Sequence, residues 1–294
     1  MPSTTIGEFI EQARNDHVDD LHGVALRLEA AWPLLRREPA GTGDFLALAE
    51  HILVDHLGDV DAMARWLDRL APMALEHPQA AAPLAQARLA VALLRGEPAV
   101  ASGQAPADVV RAHGSAANGA AARGEVARAR ELLRAADALV PARAPAASVK
   151  ALAAVANNLA SRLLDGPRGA DSDALMVDAA EMAKVRWHQA GTWLEAERAE
   201  YLIAVVAAAV GDGAKALRHA TACLSLCTAH GADALERCFA HEALARASLA
   251  AGDRTGAGDA AARMHAALQE IDDAAERALA ASAWGKLQPS LGRA

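Results

Sequence analysis

All three cysteines of the chain and three of its histidines fall in one stretch, HATACLSLCTAHGADALERCFAH, residues 219–241. His219, Cys223 and Cys227 recur every four residues. A helix through them sets an imidazole and two thiols on one broad face, where a divalent metal ion could use them. His230 closes that helix, and Cys238 and His241 open the next, where they could face back across a hairpin. The chemistry on offer is metal or thiol chemistry. Against it, the stretch holds no CxxC and no HExxH, and a free cysteine packs as a small hydrophobe among the most buried residue types. The expectation is a helical hairpin with cysteines in its core and no metal, with a metal or thiol sensor at 219–241 as an alternative.

Two further clusters, DHVDDLH at 16–22 and HILVDHLGDVD at 51–61, mix histidines with aspartates. His51 and Asp55 share a helix face, as does His17 with a later residue of its own helix, and two such helices packed together could hold a divalent ion. Di-iron bundles, however, use glutamates together with ExxH motifs on several helices, and those are missing. Solvated acidic turns are the expected role. There is no glycine-rich phosphate loop and no GxSxG elbow. No catalytic residue, metal ligand or cofactor is therefore assigned, and the chain is expected not to be an enzyme. Trp32, Trp66, Trp187, Trp193 and Trp284 are scattered and are expected to pack between helices.

The elements that must carry these residues are helices. Roughly a quarter of the chain is alanine, the best helix former, aromatic residues are 3%, and runs of β-branched residues are nearly absent. A net charge of −8 argues against binding to phosphate backbones. The longest apolar run, LIAVVAAAV at 202–210, falls far short of the roughly 20 residues that span a bilayer. MPSTTIGEFIEQARND has neither the basic start nor the apolar centre of a signal peptide. Three cysteines do not make a disulfide framework. A cytoplasmic protein is expected, and the near-exclusive use of arginine as the basic residue suggests a GC-rich bacterial source.

Glycines punctuate the chain at Gly58, Gly96, Gly124, Gly166, Gly211 and Gly252, each after an apolar helical stretch and usually before an acid. Glycine suits the left-handed position that ends a helix, and an acid suits the start of the next. From Val126, the residues Ala129, Leu132, Leu133, Ala136, Leu139 and Val140 fall on one face, and Pro141 stops that helix. Thr5 with Glu8 and Thr192 with Glu195 read as capping boxes, and Asp233 with Glu236 as their aspartate analogue.

ANNLASRLL at 156–164, AEYLIAVVAAAVGDGAKALRHATACL at 199–224 and AHEALARASLAAGDRTGAGDAAARM at 240–264 resemble tetratricopeptide repeats. Leu159-Ala160, Ile203-Ala204 and Leu244-Ala245 fill that family's leucine-small slot, Gly211-Asp212 and Gly252-Asp253 its turn, and Ala129, Ala216 and Ala257 the small slot of its second helix. The resemblance covers roughly residues 105–270, and the spacing of the later turns exceeds the family period of about 34. It implies an all-α fold, an α-α superhelix or solenoid of helical hairpins over 41–290, with 1–40 as a capping segment. It also implies a concave groove that binds a protein or peptide. Carried over slot by slot, the groove residues are Arg111 and Asn118, Asn157, Asn158 and Ser161, Arg198 and Tyr201, and Phe239, Glu242 and Arg246. These arginines and amides suit a partner with acidic groups or a free C-terminal carboxylate. A helical regulatory domain that senses a small molecule is the other alternative.

Overall fold

The computed structural model describes residues 5–17, 20–98 and 101–292. Val18 and Asp19 of the first histidine-aspartate cluster, and the first four residues of the N-terminal stretch, lie outside the described residues. Among the described residues the regular structure is all helical, with no strand. Contacts divide the chain into two compact units, 1–159 and 160–294, so the expected boundary at residue 40 lies inside the first unit.

The first unit holds α1 (Ile6–Asp16), α2 (Leu21–Arg27), α3 (Trp32–Arg37), α4 (Thr42–Ala49), α5 (Val60–Glu76), α6 (Ala81–Arg95), α7 (Pro106–Ala122) and α8 (Val126–Ala138). Helix α4 runs directly into a π-helical turn over Glu50–His56. The next helix, α9 (Ala146–Asp165), contributes residues to both units. Phe45, Leu46, Leu48, Ile52, Met63 and Leu70 are fully buried, and the Phe45 ring meets Trp66 edge-on at 4.8 Å. Helix α1 packs on α4, α6 on α7 and α7 on α8.

The second unit continues with α10 (Ala170–Ala190), α11 (Trp193–Ala209), α12 (Gly213–His230), α13 (Ala234–Ala250), α14 (Arg254–Gln269) and α15 (Ala274–Leu291). Each helix packs on the next from α10 to α15, and α11 also packs on α13, as α13 does on α15. Three-residue connectors at 210–212 and 251–253 help make this tight succession possible. Gly211 and Gly252 take left-handed backbones (φ 84 and 80). The following Asp212 and Asp253 cap the next helix by accepting from the N–H of Lys215 and Gly256. One residue thus ends a helix without a Cβ penalty and its neighbour satisfies an orphan donor of the next, worth about 0.5–2 kcal/mol per cap. Gly58 and Asp59 do the same before α5.

Two local expectations need correction. Gly166 is not left-handed, because Pro167 follows it and restricts the preceding residue to extended backbone. Leu139 is 41% exposed, although Ala129, Leu132, Leu133, Ala136 and Val140 are buried; α8 ends at Ala138 and the face drifts outward there. The capping boxes at Thr5 and Thr192 form as expected. The alanines assigned to second-helix slots, Ala129, Ala216 and Ala257, are fully buried.

Candidate functional site

In the second unit the end of α9 and helices α11, α13 and α15 enclose an open cavity of about 730 Å³. Tyr201 and Phe239 form part of its wall and meet edge to face at 5.7 Å. Leu202, Val205, Leu249 and Leu287 extend the apolar lining, and Leu279 stands 55% exposed at its edge. Glu242 is buried and held twice: the Tyr201 hydroxyl donates to Oε2 at 2.9 Å, and Arg246 Nε donates to Oε1 at 2.7 Å. The first of these bonds holds the Tyr201 ring, against which Phe239 packs. On the rim stand Lys286, which is exposed, and Arg168, which donates to Asp173 at 2.6 Å.

Of the ten residues expected to line a groove, Ser161, Tyr201, Phe239, Glu242 and Arg246 line this cavity. Arg111, Asn118 and Asn158 line a cavity of about 280 Å³ in the first unit instead. Asn157 and Arg198 line neither. Arg198 is committed to the buried carboxylate of Glu236, to which both its Nε and Nη2 donate. Arg246 is likewise committed to Glu242. Two of the three arginines read from the sequence as donors for a ligand, Arg198 and Arg246, therefore neutralise buried acids, and removing them carries a stability cost. The repeat pattern did not reach α15, which supplies Leu279, Ser282, Lys286 and Ser290. Its signal was the four-residue spacing of Leu279, Ala283 and Leu287.

The cysteine-histidine stretch resolves differently. His219 Nδ1 lies 2.5 Å from Glu200 Oε2, and the His230 ring stacks on Trp193 at 4.6 Å. Cys238 points to the Met264 carbonyl at 3.5 Å in another part of the core. Only Cys223 and Cys227 converge, on the buried Glu197 of α11, with Sγ donating to Oε1 at 2.7 and 3.5 Å. Burial raises the Glu197 carboxyl to about 7, and the two thiol hydrogen bonds oppose that rise. The hydrogen bond with Cys227 and burial push the Cys223 thiol far above the ordinary thiol range, and burial pushes Cys238 up to about 11. A thiol held protonated is a poor nucleophile and a poor metal ligand. Glu197 escaped sequence reasoning because nothing in its own helix marks it as facing the cysteines.

The first unit keeps its own polar interior. Glu50 is buried, accepts from Gln86 Nε2 at 3.1 Å, and has its carboxyl raised to about 8 by burial and by the nearby Asp55. Glu50 Oε1, Asp55 Oδ1 and Asn118 Oδ1 are buried and accept no hydrogen bond from the described residues, and all three side chains line the 280 Å³ cavity. The Arg69 guanidinium lies 3.8 Å from the Trp32 ring centroid and 5.0 Å from that of Trp66, and pairs with Glu29 at 2.7 Å. No helix is long and apolar enough to cross a membrane among the described residues. Compared with protein-family models and with curated protein sequences, the chain finds no match.

Proposed function

We propose that the chain is a non-enzymatic, tetratricopeptide-like helical-repeat scaffold of the bacterial cytoplasm, whose second-unit cavity receives a peptide segment of a partner protein. The cavity carries this reading. It is walled by the leading helices α11 and α13 of successive hairpins and by α15, and it joins an edge-to-face aromatic pair to an exposed leucine and an exposed lysine. A ligand that fits has one or two large apolar side chains against Tyr201, Phe239 and Leu279, and a carboxylate, from an acidic side chain or a C-terminus, reaching Lys286. Aromatic and aliphatic walls supply affinity through burial, and the rim charge supplies orientation.

The cavity volume also falls in the range of about 300–1,000 Å³ used by small-molecule sites. A small apolar acid is therefore the second reading, and it makes the protein a ligand-sensing regulatory domain. Selection of a random peptide library on purified protein tests the first. Enriched peptides should combine apolar and acidic residues and lose binding to a Leu279→Glu, Lys286→Glu variant that melts like the parent. Peptides that bind parent and variant alike, or an absence of enrichment, would overturn the peptide reading. A small acid retained on the native protein and displaced by the same variant would favour the second.

A further inference from the structure

The geometry points to a three-histidine site for a divalent transition-metal ion in the first unit, formed by His17, His51 and His56. Their ring nitrogens converge: His51 Nε2 lies 3.3 Å from His17 Nε2 and 3.1 Å from His56 Nε2, and ligand atoms of all three fall within 4.8 Å of one another. Metal–nitrogen bonds of about 2.0–2.1 Å at the tetrahedral angle set ligand nitrogens about 3.3–3.4 Å apart. The observed spacing is that of a tetrahedral edge.

Tautomers favour the same reading. His17 Nδ1 lies 2.5 Å from the Arg14 carbonyl, which can only accept, so Nδ1 carries the proton. His51 Nδ1 faces Asp55 Oδ2 at 3.3 Å and donates to it in the same way. With Nδ1 as the donor in each ring, both can turn an Nε2 lone pair toward an ion between them, and the two Nε2 atoms stand 3.3 Å apart. A carbonyl or carboxylate behind the ligating ring is the usual outer shell of metal-bound histidine, fixing ring orientation and raising its basicity.

The backbone is adapted to the cluster. His51 and His56 are five residues apart, which in an α-helix separates side chains by about 140°. They lie instead in the π-helical turn Glu50–His56, where the Leu57 N–H reaches back five residues to the Ile52 carbonyl. The wider turn brings positions five apart over one another, and such π-turns recur at functional sites. His17 arrives from the C-terminal end of α1. All three side chains are half-buried, so an ion can reach them. His51 and Asp55 also line the 280 Å³ cavity, and three protein ligands leave a fourth coordination position for water or a small anion. Three imidazoles suit zinc, and equally copper or nickel, better than the hard ions calcium and magnesium. The sequence set His51 with Asp55 on one face and allowed a divalent ion between that helix and the one bearing His17, but gave no sign that His56 would join them.

Zn²⁺ itself is the probe, titrated into tag-free, chelator-treated protein with calorimetry and thermal melting as readouts. One equivalent should bind and raise the melting temperature, since the ion ties α1 to the π-turn. His17→Ala and His56→Ala should each abolish both effects. Asp55→Asn, altering a positioning residue, should weaken affinity about 10–100-fold. A Cys223→Ala, Cys227→Ala variant should bind as the parent does. Absence of stoichiometric binding, or binding that survives both histidine variants or disappears in the cysteine variant, would overturn the site.

Discussion

Gly213→Ala separates packing from propensity. Gly213 is the first residue of α12, and helix propensity alone favours alanine there by up to about 1 kcal/mol. The structure reverses that sign. A Cβ on Gly213 would stand 2.5 Å from the Ala251 nitrogen, 2.6 Å from its Cα and 2.7 Å from the Ala250 carbonyl carbon. These are main-chain atoms at the end of α13 and cannot rotate away. Relief requires the start of α12 and the α13–α14 turn to separate by most of an ångström, and overpacking of that kind costs about 1–3 kcal/mol. Helix α12 would also lose close contact with the hairpin it packs against. Gly258 of α14 is the control: it is helical and exposed, and an added Cβ meets nothing within 4 Å. Gly258→Ala should stabilise by about 0.5–1 kcal/mol. At about 2–4 °C per kcal/mol, thermal unfolding should show Gly213→Ala melting several degrees below the parent and Gly258→Ala slightly above it. A Gly213→Ala protein as stable as the parent would refute the close approach of these hairpins.

Other outcomes follow from the buried charges and thiols. Glu50 is raised to about 8 from an ordinary 4.5, so the folded state holds an extra proton between those values and stability falls as pH rises through that window. Urea unfolding of Glu50→Gln should lack this component of the pH dependence, and parallel profiles for parent and variant would contradict it. Replacing Arg198 and Arg246 together by alanine strands the Glu236 and Glu242 carboxylates; because Arg198 is 57% exposed, the expected loss is moderated to about 1–3 kcal/mol, read as a lower urea midpoint. Cys223, Cys227 and Cys238 are all buried, so a chromogenic disulfide reagent should react with them only at the rate of unfolding. Cys223→Ala should cost about 1 kcal/mol, for one hydrogen bond to Glu197.

Local structure was legible in the sequence wherever one short-range signal sufficed. Gly-Asp at 211–212 and 252–253 encodes a helix end and a helix start within two residues, and the capping boxes at Thr5 and Thr192 are equally self-contained. The helical class followed from alanine content and periodicity. Meeting points between helices were less legible. Arg198 and Arg246 have the right spacing for a groove, but only the three-dimensional neighbours reveal Glu236 and Glu242 as their counter-ions. Cys223 and Cys227 were visible as a pair, whereas Glu197 lies 26 residues away from Cys223. His51 and His56 sit at a spacing that α-helical reasoning assigns to different faces, and the π-turn that unites them has no simple sequence signature.

The claim that the second-unit cavity holds a peptide is tested most directly by site-specific photo-crosslinking. A photoreactive phenylalanine analogue is placed at Ser282, which lines the cavity, or at Val185, which is 53% exposed on α10 and does not. Each protein is irradiated with a library-selected peptide, and the adducts are mapped by mass spectrometry. The account predicts adducts from position 282 that free peptide competes away and none from position 185. Equal labelling at both positions, or labelling at 185 alone, would contradict it.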